Sequence, residues 1–387
     1  MTRSRSARAS LLVGPLAHEV AEIEFDAPGP GEVVVAVAAA GVCHTDLHVA
    51  ARPEAWGRGL PSLLGHEGAG VVEEVGPGVE HLRVGDRVAV GCRAPCGICS
   101  QCRQGRSRRC RASSPRPAAI RLTDGRPVVP ALGVGLFATR APVDARVVVP
   151  IPDDVPMVAA GILGCAISTG VGAVLHTAGL RPGAAAAIFG CGGVGLSAVQ
   201  GTRIAHAYPR IAIDIEPRKL RWALELGATH VIDASTEDPV DAVRRITGGD
   251  GVAAAFEAVG SARCVEDCVR MLAYDGVAVE IGVPQGQRPA KIQLAGREGL
   301  FARTGTLTVT HGGDTIPAQD LPVFVRLYLD GVLDLHRMVT HEVGLDEVER
   351  GFRNLEEGSS IRTVVRFDRT GGEGRPDPDV DREGGSI

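Results

Sequence analysis

Seven residues of this chain have metal-ligand chemistry at metal-ligand spacing, and they fall into two sets. Cys96, Cys99, Cys102 and Cys110 lie in CGICSQCRQGRSRRC. Two-residue gaps let successive thiolates turn back onto one ion, and a short loop delivers the fourth. Four protein ligands saturate tetrahedral zinc, so this set predicts a closed, structural site. The arginines around it, Arg103, Arg106, Arg108 and Arg109, are expected to screen the thiolate charge. Cys43 in GVCHTDLH, His66 in LLGHEGAG and Cys165 in GCAISTG supply only three ligands. A fourth position is then left for water or substrate, which is the arrangement of a catalytic zinc.

A second chemistry is written between residues 190 and 219. Gly190, Gly192 and Gly195 form G-x-G-x-x-G, with Gly193 and Val194 inside it, directly after the apolar run AAAAIF and before a helical segment. In that context the glycines allow a tight turn, close approach of backbone to a pyrophosphate, and close helix–strand packing. The helix N-terminus then faces the phosphates. Asp214 ends the next apolar run, RIAID, where a carboxylate accepts hydrogen bonds from both adenosine ribose hydroxyls. An acid there favours NAD over NADP, although Arg218 and Lys219 stand close by.

The elements that must hold these residues follow from pattern. Residues 1 to about 155 are rich in short β-branched runs split by Gly and Pro, such as GEVVVAVAAAG and GAGVVEEVGPGV, and predict an antiparallel β domain. From about 160 to 300, strand, Gly-rich turn and helix alternate, which predicts a doubly wound parallel sheet. The helical AQDLPVFVRLYLDG and the strand-like IRTVVRF then return to the first domain. We expect an α/β chain with a discontinuous catalytic domain at 1–160 and 304–368, a cofactor domain at 161–303, and a disordered tail at 369–387. A chain of 387 residues with 44% hydrophobic content is long enough for two cores. Its net charge of −5 points away from nucleic acid and anionic membranes and toward a small-molecule partner. The N-terminal apolar segment is too short for a secretory signal, and clustered thiols suit a reducing compartment, so a cytoplasmic protein is expected. Cys191, Cys264 and Cys268 read as small packing residues.

Together these motifs resemble the zinc-containing alcohol dehydrogenases of the medium-chain dehydrogenase/reductase superfamily. GVCHTD, GHEGAG, CGICSQC with its later cysteine, GCAISTG, GCGGVG and SIRTVV occur in that family's order over nearly the whole chain. The resemblance implies a GroES-like catalytic domain, a Rossmann domain, a cleft between them, two zinc ions and NAD per subunit, and a homodimer or homotetramer. It implies Cys43, His66 and Cys165 as catalytic zinc ligands, Glu67 as the nearby acid of that metal site, and Asp46 as the carboxylate that orients His66. Thr45 and His48 match a proton relay that runs through a ribose hydroxyl. His44 and Arg362 match positions on the cofactor pyrophosphate, and Lys219 a position near the adenosine ribose. The implied reaction is reversible oxidation of an alcohol, bound at the Cys/His/Cys zinc, to an aldehyde or ketone by hydride transfer to NAD.

Cys92 departs from the family, standing where many members carry a bulky pocket residue, and predicts a wider pocket. Trp56, Leu132 and Phe137 are further candidates for its walls. Two enzymatic alternatives share the fold: a thiol-dependent formaldehyde dehydrogenase acting on an S-hydroxymethyl adduct, and a dehydrogenase whose NAD is reoxidised in place. A noncatalytic nucleotide-binding protein is a third, and intact Cys43, His66, Cys165, Thr45 and His48 argue against it.

Overall fold

β-branched residues and alanines draw Glu32–Val42 into a long, largely buried strand at the centre of the first half. It pairs antiparallel with Gly68–Val75, Arg140–Asp144 and the late strand Arg362–Arg366. The sheet runs Val148–Pro150, Arg87–Val90, Gly68–Val75, Glu32–Val42, Arg362–Arg366, Val339–Val343. Beside it a closed barrel is formed by Arg5–Gly14, Ala17–Phe25, Ile120–Leu122, Pro127–Pro130 and Ser62–Leu63. This computed structural model describes residues 5–54, 59–111, 118–284, 291–294, 296 and 299–367. The tail expected at 369–387 and the pocket candidate Trp56 lie outside the described residues.

The second half is a parallel sheet ordered His230–Asp233, Arg210–Asp214, Ala186–Phe189, Val252–Glu257, Leu272–Glu280, Thr306–Val309. Strand order reverses between Ala186–Phe189 and Val252–Glu257, and in such sheets ligands bind at the carboxyl ends beside that point. The fold is therefore α/β, a GroES-like β half and a Rossmann half. One expectation needs correction: a boundary at 304 would assign Thr306–Val309 to the catalytic domain, but the strand pairs parallel with Leu272–Glu280, Val277 opposite Thr306. A four-residue strand whose side chains alternate Thr and aliphatic gives little sequence signal for its sheet.

Helix Met157–Ala178 joins the halves. It is long and apolar enough to cross a membrane, yet 78% of its apolar window is buried inside the protein. Alanines and glycines let it pack closely, and a Cβ on Gly172 would lie 2.5 Å from the Gly313 carbonyl oxygen. One apolar cluster contains Ala39 and Val364 of the antiparallel sheet, Ile162 and Ile167 of this helix, and Ile188 and Phe256 of the parallel sheet. Cys191 and Cys268 are fully buried and Cys264 packs against its core, as expected of small hydrophobes.

Candidate active site

Cys43 caps the helix His44–Ala51, and its backbone N–H donates to Asp46 Oδ2 at 3.3 Å. Asp46 Oδ1 accepts from the Gly65 N–H at 3.1 Å and lies 3.0 Å from His66 Nδ1. One buried carboxylate thus fixes the turn that presents Cys43, the loop that presents His66, and the orientation of the imidazole. Because a carboxylate only accepts, Nδ1 carries the proton and Nε2 is turned to Cys165 Sγ at 3.3 Å. Cys165 sits in a π-helical turn, Leu163–Ile167. Such turns free backbone N–H groups from the helix ladder. Here Cys165 and Ala166 donate instead to Glu67 Oε2 at 3.1 and 3.0 Å.

The donor atoms of Cys43, His66 and Cys165 all lie within 4.8 Å of one another. Contact with Cys165, aided by Arg362 and His66 and opposed by burial, holds the Cys43 thiol well below its usual value. The same contact pushes the Cys165 thiol well up. Two touching thiols cannot both ionise unaided, and a divalent cation between them stabilises both thiolates, so the donor set fits zinc. Glu67, expected as part of this metal site, does not join the donor cluster. Its Oε2 holds the Cys165 turn, and its Oε1 faces Arg362 Nε at 3.9 Å without a hydrogen bond. Burial, opposed by Arg362, pushes the Glu67 carboxyl up to about 7.

Arg362 is 2% exposed and donates from Nη1 to the Val42 carbonyl at 3.2 Å. A Cβ on Gly193 would lie 2.5 Å from its Nε, which places the guanidinium against the start of helix Gly193–Ile204. That Nε is a buried donor without a partner. Gly190 has φ +85°, and a Cβ on Gly195 would strike the Gly190 carbonyl at 1.7 Å. Around Gly192 a Cβ would meet open space. A buried guanidinium with an unbonded Nε beside a helix start, and an open loop, suit a phosphate. Asp214 Oδ2 accepts from the Cys191 N–H of this loop at 2.7 Å. Arg218 is turned away, donating to the Gly358 carbonyl at 3.1 Å and lying 5.5 Å over the Trp222 ring. Lys219 reaches toward Gly358 as well: a Cβ there would lie 3.5 Å from its Nζ. His44 is exposed at the start of its helix, yet the groups crowded around its ring desolvate it, and this effect, countered by Cys43 and reinforced by Arg362, pushes the imidazole down to about 4. Thr45 and His48 lie one turn apart on the same helix, and among the described residues no hydrogen bond joins them.

The four cysteine sulfurs of the lobe lie within 4.8 Å of one another. Three of the four arginines expected to screen them are engaged elsewhere. Arg108 and Arg109 pair with Asp320 and Asp314, at 2.6 and 3.0 Å, and Arg106 donates to Gln104. Backbone N–H groups do that work: those of Cys102 and Arg111 push the Cys99 thiol down to about 6. Phe137 is also not a pocket wall. It is fully buried, 6.5 Å from the Phe352 ring, and fills the space over Gly65. Cys92 lies against Cys165, a contact that outweighs burial and pushes its thiol down to about 7. Neither spacing nor composition signalled the Glu67 contacts or the Arg108–Asp320 pair.

An open three-donor metal cluster beside a dinucleotide-type crevice places the protein among metal-dependent dehydrogenases. Residues 29–153 match the alcohol dehydrogenase GroES-like domain, and residues 193–328 match the zinc-binding dehydrogenase domain. The chain is 32% identical to an S-(hydroxymethyl)glutathione dehydrogenase of Paracoccus denitrificans, covering 94% of this chain and 100% of that protein. It is 34% identical to an NDMA-dependent alcohol dehydrogenase of Amycolatopsis methanolica, covering 90% and 95%. Among solved structures, benzyl alcohol dehydrogenase of Acinetobacter calcoaceticus superposes with a TM-score of 0.86 at 31% identity, covering 94% of this chain and 100% of that one. The chain belongs to the zinc-containing alcohol dehydrogenases of the medium-chain superfamily, and its chemistry is zinc-dependent alcohol oxidation.

Proposed function

We propose that the protein is an NAD-dependent alcohol dehydrogenase that interconverts an alcohol with its aldehyde or ketone. The observation that carries this reading is the convergence of Cys43, His66 and Cys165 within 4.8 Å, on the same side as Arg362 at the start of the glycine-loop helix. Bound there, zinc supplies a Lewis-acidic position that stabilises negative charge on the substrate oxygen, and NAD supplies the hydride acceptor. The chain's own residues do the rest. Asp46 fixes His66 and the Cys43 turn. Glu67 holds the Cys165 turn through two backbone N–H groups. Thr45 and His48 are placed to pass a proton outward through a bridging hydroxyl. Arg362, His44 and the Gly190–Gly195 loop bind phosphate, while Asp214 and Lys219 bind the adenosine ribose. Arg218, engaged with Gly358 and Trp222, offers no fork to a 2′-phosphate, which favours NAD over NADP.

The catalytic domain on this reading is 1–160 with the segment after the sixth strand to 368, and the cofactor domain lies between. Cys96, Cys99, Cys102 and Cys110 hold the second zinc. A cytoplasmic homodimer or homotetramer completes the proposal. The name of the Paracoccus relative supports a second reading, with an S-hydroxymethyl adduct as substrate. The deciding experiment measures NADH formation from NAD with primary alcohols, beside formaldehyde with and without glutathione or mycothiol, on protein of assayed zinc content. Turnover of plain alcohols, lost on chelation, supports the reading. Turnover only with thiol and formaldehyde replaces it with the adduct.

A further inference from the structure

The four-cysteine lobe reaches across the molecule. Arg108 and Arg109 sit on the short turn Ser107–Arg109, between the third and fourth cysteines. Arg108 meets Asp320 with both terminal nitrogens, Nη1 to Oδ2 at 2.6 Å and Nη2 to Oδ1 at 3.2 Å, and donates to the Asp314 carbonyl at 2.9 Å. Arg109 pairs with Asp314 Oδ2 at 3.0 Å and donates to the Val309 carbonyl, at the end of the sixth parallel strand, at 3.0 Å. Both acceptor carboxylates are 7% exposed, so these are not ordinary surface pairs.

The same carboxylates hold the end of helix Met157–Ala178. His176 Nε2 lies 3.0 Å from Asp320 Oδ1, a close contact without good hydrogen-bond alignment, and Thr177 donates to Asp314 Oδ2 at 2.9 Å. Asp320 Oδ2 also accepts from the Ile316 N–H at 2.6 Å. The segment between strand and helix is tightly constrained. Asp314 has φ +53°, a left-handed backbone that non-glycine residues seldom adopt. A Cβ on Gly313 would lie 2.4 Å from the Ser168 carbonyl oxygen.

We propose that the lobe is a positioning element. When its four cysteines are tied together, Arg108 and Arg109 clamp residues 309–320 onto helix Met157–Ala178, fixing how the parallel-sheet half meets the half that carries the catalytic cysteine and histidine ligands. Planar, bidentate guanidinium recognition suits this role, and lysine reproduces only the charge. Its kinetic consequence rests on the NAD-dehydrogenase reading; its structural consequence does not.

The test compares the zinc-loaded full chain with Arg108→Gln, Arg108→Lys, Asp320→Asn and, as a solvent-facing control, Arg106→Gln. Hydrogen exchange is read at 168–178 and 309–320, together with metal per chain and Michaelis constants. Arg108→Gln should speed exchange in both segments about fivefold or more while two metals are retained, the signature of a lost local tie. The cofactor KM should rise about 3- to 10-fold with the alcohol KM nearly unchanged, and Arg108→Lys should recover part of both. Should Arg108→Gln fail to fold, the isosteric Asp320→Asn carries the same test. Unchanged exchange at full metal content, or an equal increase in Arg106→Gln, overturns the proposal. Faster exchange with an unchanged cofactor KM also overturns it, leaving the lobe a stabilising element only. Absence of NAD turnover in the unmodified protein would remove the dehydrogenase reading, and the exchange comparison would still decide the clamp.

Discussion

His66 and Cys165, whose donors meet at 3.3 Å, are 99 residues apart in sequence, whereas Cys96 and Cys110 of the lobe are separated by 14. The first cluster is buried at Cys43 and His66 and partly exposed at Cys165, is drawn from three segments, and is held by carboxylates that are themselves buried. The second is partly exposed, local, and held by backbone N–H groups of its own loop. The difference shows how cost is distributed. A local cluster organises itself once metal is bound, while a long-range cluster depends on the fold to bring its ligands together and on Asp46 and Glu67 to keep them aligned.

Breaking the open cluster should have the largest effect on chemistry. Cys43→Ala is expected to lower turnover about 10²- to 10³-fold or more, the scale of losing a principal transition-state contact. Metal content should fall from two to one with NADH binding retained, and full activity in this variant would end the comparison. Asp46→Asn should weaken metal retention at the three-donor cluster about 10- to 100-fold, as losing the partner of a ligand histidine does. Metal titration should show the lobe unaffected; equal weakening at both would mean that Asp46 serves general stability. For the lobe the order reverses. Cys99→Ser should lower the melting temperature by roughly 3–5 °C, since at about 2.1 cal/mol/K per residue a chain of this length shifts only about 1 °C per kcal/mol, while kcat of the folded fraction stays within about threefold. A collapse of kcat with unchanged melting would refute the division of roles.

The smallest effect concerns His18, behind the open cluster on the barrel side. Its ring lies 5.3 Å from that of Phe352, tilted by 56°, and burial, countered by Glu349 and Asp46, pushes its imidazole down to about 4. A histidine whose folded pKa is depressed binds its proton more tightly when unfolded. Its neutral form therefore carries no penalty above the unfolded value near 6.5, and stability is lost as pH falls from there toward 4. Between pH 7 and 5 the protein should lose roughly 1–2 kcal/mol more than His18→Gln, a figure reduced for partial solvent access. Denaturation midpoints at the two pH values decide it, and parallel losses would show that the ring is not held neutral.

The lobe was legible because its chemistry is its spacing. So was the glycine loop, where strand, turn and helix follow one another and each glycine has a steric reason. Cys43, His66 and Cys165 could be named from motifs, but nothing local shows that a π-turn aims Cys165 or that Asp46 binds two backbone amides as well as His66. Glu67 lies beside the ligands as expected, but its carboxylate is turned to the Cys165 and Ala166 N–H groups, a contact with residues about a hundred positions away that no local pattern signals. The lobe arginines misled for a related reason: nearby opposite charges suggested pairing, but Asp320 and Asp314, more than two hundred residues away, offered buried carboxylates that water no longer satisfies. The sixth strand was missed because four residues of alternating Thr and aliphatic side chains suit either sheet.

The apolar cluster that runs from Ala39 through helix Met157–Ala178 to Phe256 bears on modularity. Two sheets sharing one packed interior are not interchangeable cassettes. A chimera that trades the cofactor half for that of a relative would place its seam inside close-packed side chains, where an added or missing methyl group is felt. Successful recombination between such enzymes should carry the joining helix, the segment at 309–320 and the lobe as one inherited block.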